Sequence, residues 1–285
     1  MPGALVIAGG GLAGIAWELG FLRGLADASP ATARVLLHTD TTLIGTSAGS
    51  AVAAQLSTGR ELDAAYEAQL REESAEIGAE IDRDDLQALV AAAVEGASSP
   101  EEARRRIGAL ALEATTLTEQ ARRAVIAARV ADADWPQEQR LLITAVDTAT
   151  GELRVFDRTS GVELVDAIAA SCAVPGVWPP VTIDGMRYMD GGVRSGSNAD
   201  LAVGADWVLI VSPQPGIGIP GAGLIPTEEF DALSASRVEV VYADDVSIAA
   251  FGRNPLDPAV CAGSARAGRA QGARLAPRVM DLLGI

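Results

Sequence analysis

The sequence predicts a three-layer α/β/α domain spanning residues 1–285, built on a mostly parallel central sheet and carrying a helical insertion. Three observations carry this. Short apolar runs rich in β-branched residues end in glycine-rich turns and alternate with stretches at helical spacing, the order that a parallel sheet requires. The 285 residues suffice for one large core, and 49% of them are hydrophobic. Aromatic residues make up only 4%, so the core is assembled from Ala, Val, Leu and Gly, which lets helices lie close to a sheet.

Taken in order, Ala4–Ala8 reads as a buried strand closed by Gly9, Gly10 and Gly11. Leu12, Ile15, Ala16, Leu19, Leu22 and Leu25 then fall at helical spacing, and Asp27 with Ser29-Pro30 closes that helix near residue 28. A second strand covers Thr41–Ile44 and runs into Gly45-Thr46-Ser47-Ala48-Gly49, followed by an alanine-rich helix over Ser50–Leu56. Residues 61–138 change character: charges multiply, and apolar residues such as Leu86, Leu89, Val90 and Val94 recur every three or four positions. This stretch is a helical insertion, interrupted near residues 96–99, where Ser98-Ser99-Pro100-Glu101-Glu102 starts a new helix. It could be a lid over a site or plain scaffolding.

Beyond it, Leu141–Val146 and Leu153–Phe156 form a hairpin around Thr148–Gly151, and residues 162–170 form a short helix. Val181–Ile183 and Met186–Met189 pair across the two-residue turn Asp184-Gly185. Trp207–Val211 and Val238–Tyr242 are further strands, separated by a Gly/Pro-rich loop over residues 213–226. The C-terminal segment 257–285 is mostly helix.

The net charge of −16 and pI near 4.4 exclude nucleic acid and disfavour anionic membrane faces as partners. All basic residues are arginine, a bias of composition. Two cysteines, Cys172 and Cys261, are too few for a disulfide framework, and Cys172 reads as a small buried residue. The first apolar stretch lacks a basic leader and is broken by Glu18 and Arg23, so the expectation is neither a signal peptide nor a membrane span. A cytoplasmic location, with at most peripheral membrane contact, follows as the default. The acidic string Asp82, Asp84 and Asp85 reads as a solvated helix start rather than a calcium site, and no metal or organic cofactor is expected.

Three motifs carry chemistry. The first, Gly9-Gly10-Gly11-Leu12-Ala13-Gly14, lies between a strand and a helix, where glycines let backbone N–H groups at a helix N-terminus face an anion. It also satisfies the G-x-G-x-x-G dinucleotide fingerprint, with Asp40 offering an acidic residue downstream. The anion could be a pyrophosphate or the oxyanion of a tetrahedral intermediate. The second motif, Gly45-Thr46-Ser47-Ala48-Gly49, fits G-x-S-x-G in strand–turn–helix context, where flanking glycines relieve the crowding of an elbow that lifts the serine above the sheet. A dinucleotide fold needs no second elbow. The third, Asp190-Gly191-Gly192, follows a hairpin strand and alone would be only a turn.

It gains meaning because Ser47 otherwise lacks a base. His38 is the only histidine and lies nine positions before Ser47 along a strand, which at about 3.3 Å per residue leaves it roughly 20 Å away. There is no lysine. A Ser-Asp dyad is what remains.

These residues resemble the patatin-like phospholipase family, in which a glycine-rich loop, a G-x-S-x-G elbow and a D-G-G/A motif occur in that order. The likeness extends to Ala170–Pro180, Met189–Val193, Asn198 and Gly204–Asp206. It covers residues 4–57 and 139–212 well, and the insertion and C-terminal third loosely. The resemblance implies Ser47 as nucleophile, Asp190 as base, and the N–H groups of Gly9, Gly10 and Gly11 as oxyanion hole, with Gly14, Gly45, Gly49, Gly191 and Gly192 as motif glycines. The implied activity is hydrolysis of carboxylic esters of lipids, of phospholipase, lysophospholipase or esterase type, without a cofactor. One departure is Ala13, where the family commonly has Arg or Lys. The stretch Val174–Pro180, with Trp178, could line an acyl pocket or be a packed core loop. The rival readings are a dinucleotide-dependent oxidoreductase using the first glycine loop, and a non-catalytic acyl-binding descendant of the same fold.

Overall fold

The computed structural model describes residues 2–71, 76–79, 83–131, 133–213 and 225–285. In chain order the elements are β1 (Gly3–Ile7), α1 (Gly11–Ala28), α2 (Pro30–Leu36), β2 (Thr41–Thr46), α3 (Ala48–Ser57) and α4 (Leu62–Gln69). Then come α5 (Arg83–Val94), α6 (Pro100–Glu113), α7 (Glu119–Arg129), β3 (Leu141–Asp147), β4 (Leu153–Phe156) and α8 (Leu164–Ser171). The chain closes with β5 (Val181–Ile183), β6 (Met186–Asp190), β7 (Trp207–Ser212), α9 (Thr227–Ala232), β8 (Arg237–Tyr242), α10 (Asp245–Ala250) and α11 (Cys261–Leu283). Most boundaries lie within a residue or two of the periodicity.

One boundary does not. Ser29-Pro30 does not simply end a helix; it starts α2, because Ser29 accepts the Thr32 N–H and Pro30 occupies a first-turn position where it sacrifices no hydrogen bond. The same device works at Ser99-Pro100, where Ser99 caps α6 after Gly96, at φ 68°, has ended the preceding helix. Asp84, Asp85 and Leu86 lie in α5, but their side chains, like Asp82 and most of the expected 213–226 loop (214–224), fall outside the described residues.

β1 pairs in parallel with β2 and β7, β2 with β3, and β7 with β8, while β4, β5 and β6 join antiparallel. Alternation along the strands divides the core. Leu5, Ile7, Leu43, Ile143 and Leu209 face a large cluster shared with α1, α3, α8 and α11. Ala4, Val6, Ile44, Leu142, Val208 and Ile210 face the opposite layer, where Leu233, just past α9, and residues 199–202 cover them. Val146 and Met189 on that second face pack against Val90 and Ile107, so α5 and α6 belong to the lower layer. α7 instead packs on α8, toward the other face.

The tightest helix contact is between α1 and α11. A Cβ placed on Gly20 or Gly24 would come within 2.1 Å of an α11 carbonyl, and one on Gly268 or Gly272 within 2.2 Å of an α1 carbonyl. Four glycines thus bring two backbones into contact, which seats the long α11 against the helix that follows the glycine loop.

Candidate active site

All three sequence motifs emerge at the same end of the sheet. Ile7 pairs with Gly45 in parallel β1 and β2, so the glycine loop leaves β1 at the level where the serine elbow leaves β2. Crevices at the carboxyl ends of parallel strands are where open α/β sheets bind ligands.

Ser47 sits at φ 52°, ψ −119°, a left-handed region that non-glycine residues enter at a cost of about 1–3 kcal/mol. Its surroundings hold it there. The Ser47 N–H donates to Ser171 Oγ at 2.9 Å, and the Ser47 carbonyl accepts from Ser50 Oγ at 2.6 Å and Cys172 Sγ at 3.1 Å. The glycines on either side are required by space: a Cβ on Gly49 would lie 2.0 Å from the Ile7 carbonyl oxygen, and one on Gly45 would lie 2.5 Å from Ser50 Cα. Cys172 is buried, and that burial pushes its thiol up, so it serves the elbow as a donor rather than competing as a nucleophile.

Asp190 reaches Ser47 through the register of β3. β2 pairs with β3 up to Thr46–Thr144, and at the next residue, Ala145, the partner becomes Asp190 of β6. β4 occupies the opposite edge of β3 over Ile143–Val146, so β2 and β6 share one edge end to end. Ser47 and Asp190 therefore meet where one strand hands over to the other, about one strand residue (~3.3 Å) apart along β3. Below them, Asn198, itself at φ 52°, donates to Thr46 Oγ1, Thr144 Oγ1 and the carbonyls of Gly191 and Ser195, stitching the hand-over together.

The Asp190 carboxylate accepts the Gly192 N–H on Oδ1 at 2.7 Å, while Oδ2 is buried with no hydrogen-bond partner. Burial pushes the carboxyl up to about 7, against the pull of the Ser47 hydroxyl, the Gly192 N–H and the Arg122 charge. The Ser47 hydroxyl thus acts on the carboxylate, while Oδ2 has no hydrogen-bond partner among the described residues.

The glycine loop lies directly against the nucleophile: a Cβ on Gly9 would be 3.3 Å from Ser47 Cβ and 3.8 Å from Oγ. The N–H of Gly9 donates to the Gly196 carbonyl at 2.9 Å, and that of Ala13 to the Pro255 carbonyl at 2.9 Å. Of the three N–H groups expected to form an oxyanion hole, that of Gly9 is thus already engaged. Gly10 caps α1 and Gly11 stands at φ 67°; among the described residues neither N–H is given to a carbonyl. A Cβ on Gly14 would stand 3.2 Å from the Pro213 ring and 3.6 Å from Ala48 Cβ, so the glycine lets α1 lie close to the elbow. Ala13 is fully buried.

A cavity of about 20 Å³ opens beside Ser47, lined also by Leu12, Cys172, Val174, Trp178 and Arg122. That is room for about one water. Trp178 and Val174, foreseen as pocket or core, line this cavity. Arg122, from α7, had no motif to announce it.

His38 is exposed in the turn before β2 and holds the Asp40 N–H on Nδ1 at 3.2 Å, at the far end of the sheet from Ser47. Asp40 shares that end, beside Gly3 rather than the glycine loop, because Thr41 pairs with Gly3. It cannot meet a ribose whose pyrophosphate sits at Gly9–Gly11, about five strand residues (~17 Å) away. Among the described residues no cluster of metal-ligating side chains occurs, and no helix is long and apolar enough to cross a membrane.

Among solved structures, the chain is similar to VipD from Legionella pneumophila, at 12% identity and TM-score 0.47, covering 97% of this chain and 66% of VipD. It is similar also to the type III effector ExoU, at 18% identity and TM-score 0.41, covering 96% of this chain and 53% of that one. A further structure, of full-length ExoU with SpcU from Pseudomonas aeruginosa, matches at 18% identity and TM-score 0.40, covering 99% and 52%. The chain thus spans between about half and two thirds of these proteins' length. No curated protein matches the sequence. A family model described as patatin-like phospholipase matches residues 5–203, from β1 past the strand that ends in Asp190, and the chain therefore belongs to the patatin-like phospholipase family.

Proposed function

We propose that the chain is a serine acyl hydrolase that cleaves carboxylic esters of lipids, with Ser47 as nucleophile and Asp190 as its base. The observation that supports this most is the hand-over on β3, which sets a strained serine against a buried, partner-poor carboxylate beneath a glycine loop.

Asp190 takes the Ser47 proton as Oγ attacks the ester carbonyl. The developing oxyanion is held by the N–H groups of Gly10 and Gly11 at the N-terminus of α1, each such donor contributing about 3 kcal/mol to the transition state. The proton passes from Asp190 to the departing alcohol, leaving Ser47 acylated. Water then attacks the acyl-enzyme with Asp190 again as base, and the acid leaves as Ser47 recovers its proton. Every step runs on this chain's own side chains and backbone, and Gly9 acts by anchoring the loop to Gly196 rather than by donating.

An acyl chain needs far more than the cavity of about 20 Å³ beside Ser47. Substrate entry therefore displaces part of the wall, in which Ile77 is already half exposed.

The test is hydrolysis of a series of fatty-acyl esters of increasing chain length. Ser47→Ala and Asp190→Asn should each lower kcat/KM by about a thousandfold or more, and together cost little more than either alone, because the two act as a unit. A Ser47→Ala protein with wild-type turnover would overturn the proposal.

A further inference from the structure

The wall of the Ser47 cavity contains a buried cation that makes no ion pair among the described residues. Arg122 is only 5% exposed, yet its Nε and Nη1 have no hydrogen-bond partner among the described residues. Its guanidinium lies 3.9 Å over the Trp178 ring, a contact that uses none of its donors. The acids near it are engaged elsewhere: Glu76 grips Arg129 through two bonds, at 2.7 and 2.6 Å, and Asp190 accepts from Gly192. Both lie close enough to act on the Arg122 charge through space, without a direct ion pair to it among the described residues. Burial and the neighbouring Arg129 charge pull the guanidinium down to about 10.

Leaving a charge buried and unpaired is costly, and folded proteins keep such a group where a ligand completes it. The surroundings point to the sign of that ligand. A second cavity of about 220 Å³ adjoins the first, sharing Leu12, Ile15 and Arg129, and is lined also by Arg60, Arg71 and Glu76, whose carboxylate Arg129 holds. In a chain of net charge −16, four arginines gather around the two cavities next to the nucleophile. A guanidinium matches phosphate or carboxylate by presenting two parallel N–H donors to two oxygens.

We propose that Arg122 is the specificity-determining residue of this site, holding a phosphate or carboxylate group carried by the ester that Ser47 attacks. This rests on the acyl-hydrolase reading of Ser47 and Asp190. The anionic end lies against Arg122 and the adjoining arginine-lined cavity, and the scissile carbonyl lies over Ser47. Neutral esters of the same acyl chain reach Ser47 without that anchor.

The experiment compares three esters of one fatty acid, with glycerol, with glycerol phosphate and with glyceric acid, on the full chain and on Arg122→Met and Arg122→Lys. The wild type should prefer one of the two anionic esters by at least about tenfold in kcat/KM, and which one identifies the anion. In Arg122→Met the anionic-to-neutral ratio should fall by about 10–100-fold, mostly through KM, and Arg122→Lys should restore part of it. Because the substitution removes a buried charge that has no ion pair among the described residues, Arg122→Met should keep or raise the wild-type Tm. An equal loss on all three esters, or a Tm lowered by several degrees or failure to fold in Arg122→Met, would make Arg122 structural and overturn the proposal. A second readout separates it from the hydrolase reading: binding of acyl glycerol phosphate to the inert Ser47→Ala protein, by calorimetry, should weaken at least about tenfold on adding Arg122→Met. Binding that ignores Arg122 overturns the proposal even if hydrolysis proceeds, and Arg122-dependent binding without any hydrolysis upholds the anion site while removing the reaction.

Discussion

At the scale of single residues, the account turns on the ionisation of Asp190. A base must be deprotonated to accept the Ser47 proton, and burial holds this carboxyl up near about 7. kcat/KM should therefore rise with pH through about 7 and level off above it, a limb absent if Asp190 titrated like an ordinary carboxylate. The same shift acts on stability with a defined sign. The unfolded side chain titrates near about 3.9, so between that pH and about 7 the folded state binds the extra proton, and stability falls as pH rises through this window. Asp190→Asn carries no charge at any pH and can still accept from Gly192. It should raise Tm clearly at pH 8 and hardly at pH 4; the same difference at both values in thermal denaturation would contradict the burial argument. Ser47 and Asp190 stood out in the sequence as candidates because Gly45 and Gly49 flank Ser47 and Gly191 and Gly192 follow Asp190. Arg122 was not legible, since an arginine in an amphipathic helix looks like any solvated one until the fold buries it. The engagement of the Gly9 N–H was hidden for a similar reason: its partner, the Gly196 carbonyl, lies far along the chain.

At the scale of elements, the long helices depend on close backbone approach rather than on large side chains, as the low aromatic content of 4% implies. Gly272→Ala tests this. In an isolated helix it would gain about 1 kcal/mol of propensity, but here its Cβ would stand 2.1 Å from the Phe21 carbonyl oxygen, and overpacking of that kind costs about 1–3 kcal/mol or more. The net effect in denaturant unfolding should be destabilising, whereas Gly263→Ala on the exposed side of the same helix, with nothing nearer than 3.9 Å, should be stabilising. A gain at both positions would contradict the contact. Strand periods and turns were readable because they are local, and the Asp184-Gly185 hairpin forms with both residues at positive φ. The start of α2 at Ser29-Pro30 was ambiguous because the same pair ends one helix and begins the next. The division of the insertion between the two faces was beyond reach, because it depends on which distant strand each apolar stripe meets. Val90 and Ile107 find Val146 and Met189 below the sheet, while α7 carries Arg122 and Arg129 to the site above.

At the scale of the whole molecule, one end of the sheet collects the chemistry, and a protein of net charge −16 concentrates arginines around that end. The parallel register places the glycine loop and the elbow side by side, and the shared edge of β3 adds the carboxylate. That same register puts Asp40 and His38 at the opposite end, which removes the basis for a dinucleotide site or a histidine triad without appeal to resemblance. The alternation of strands and helices announced the layers; the end-to-end meeting of β2 and β6 did not show, because it arises from the register each keeps with the sequence-distant β3, which leaves no local trace.

The central claim is that this assembly activates Ser47. The most direct measurement is labelling of the purified full chain with a fluorophosphonate, read by intact mass and peptide mapping. The account predicts one adduct per chain, on Ser47, absent in Ser47→Ala and formed at least about a hundredfold more slowly in Asp190→Asn. A folded wild-type protein that takes up no label on Ser47, or labels equally fast without Asp190, would contradict it.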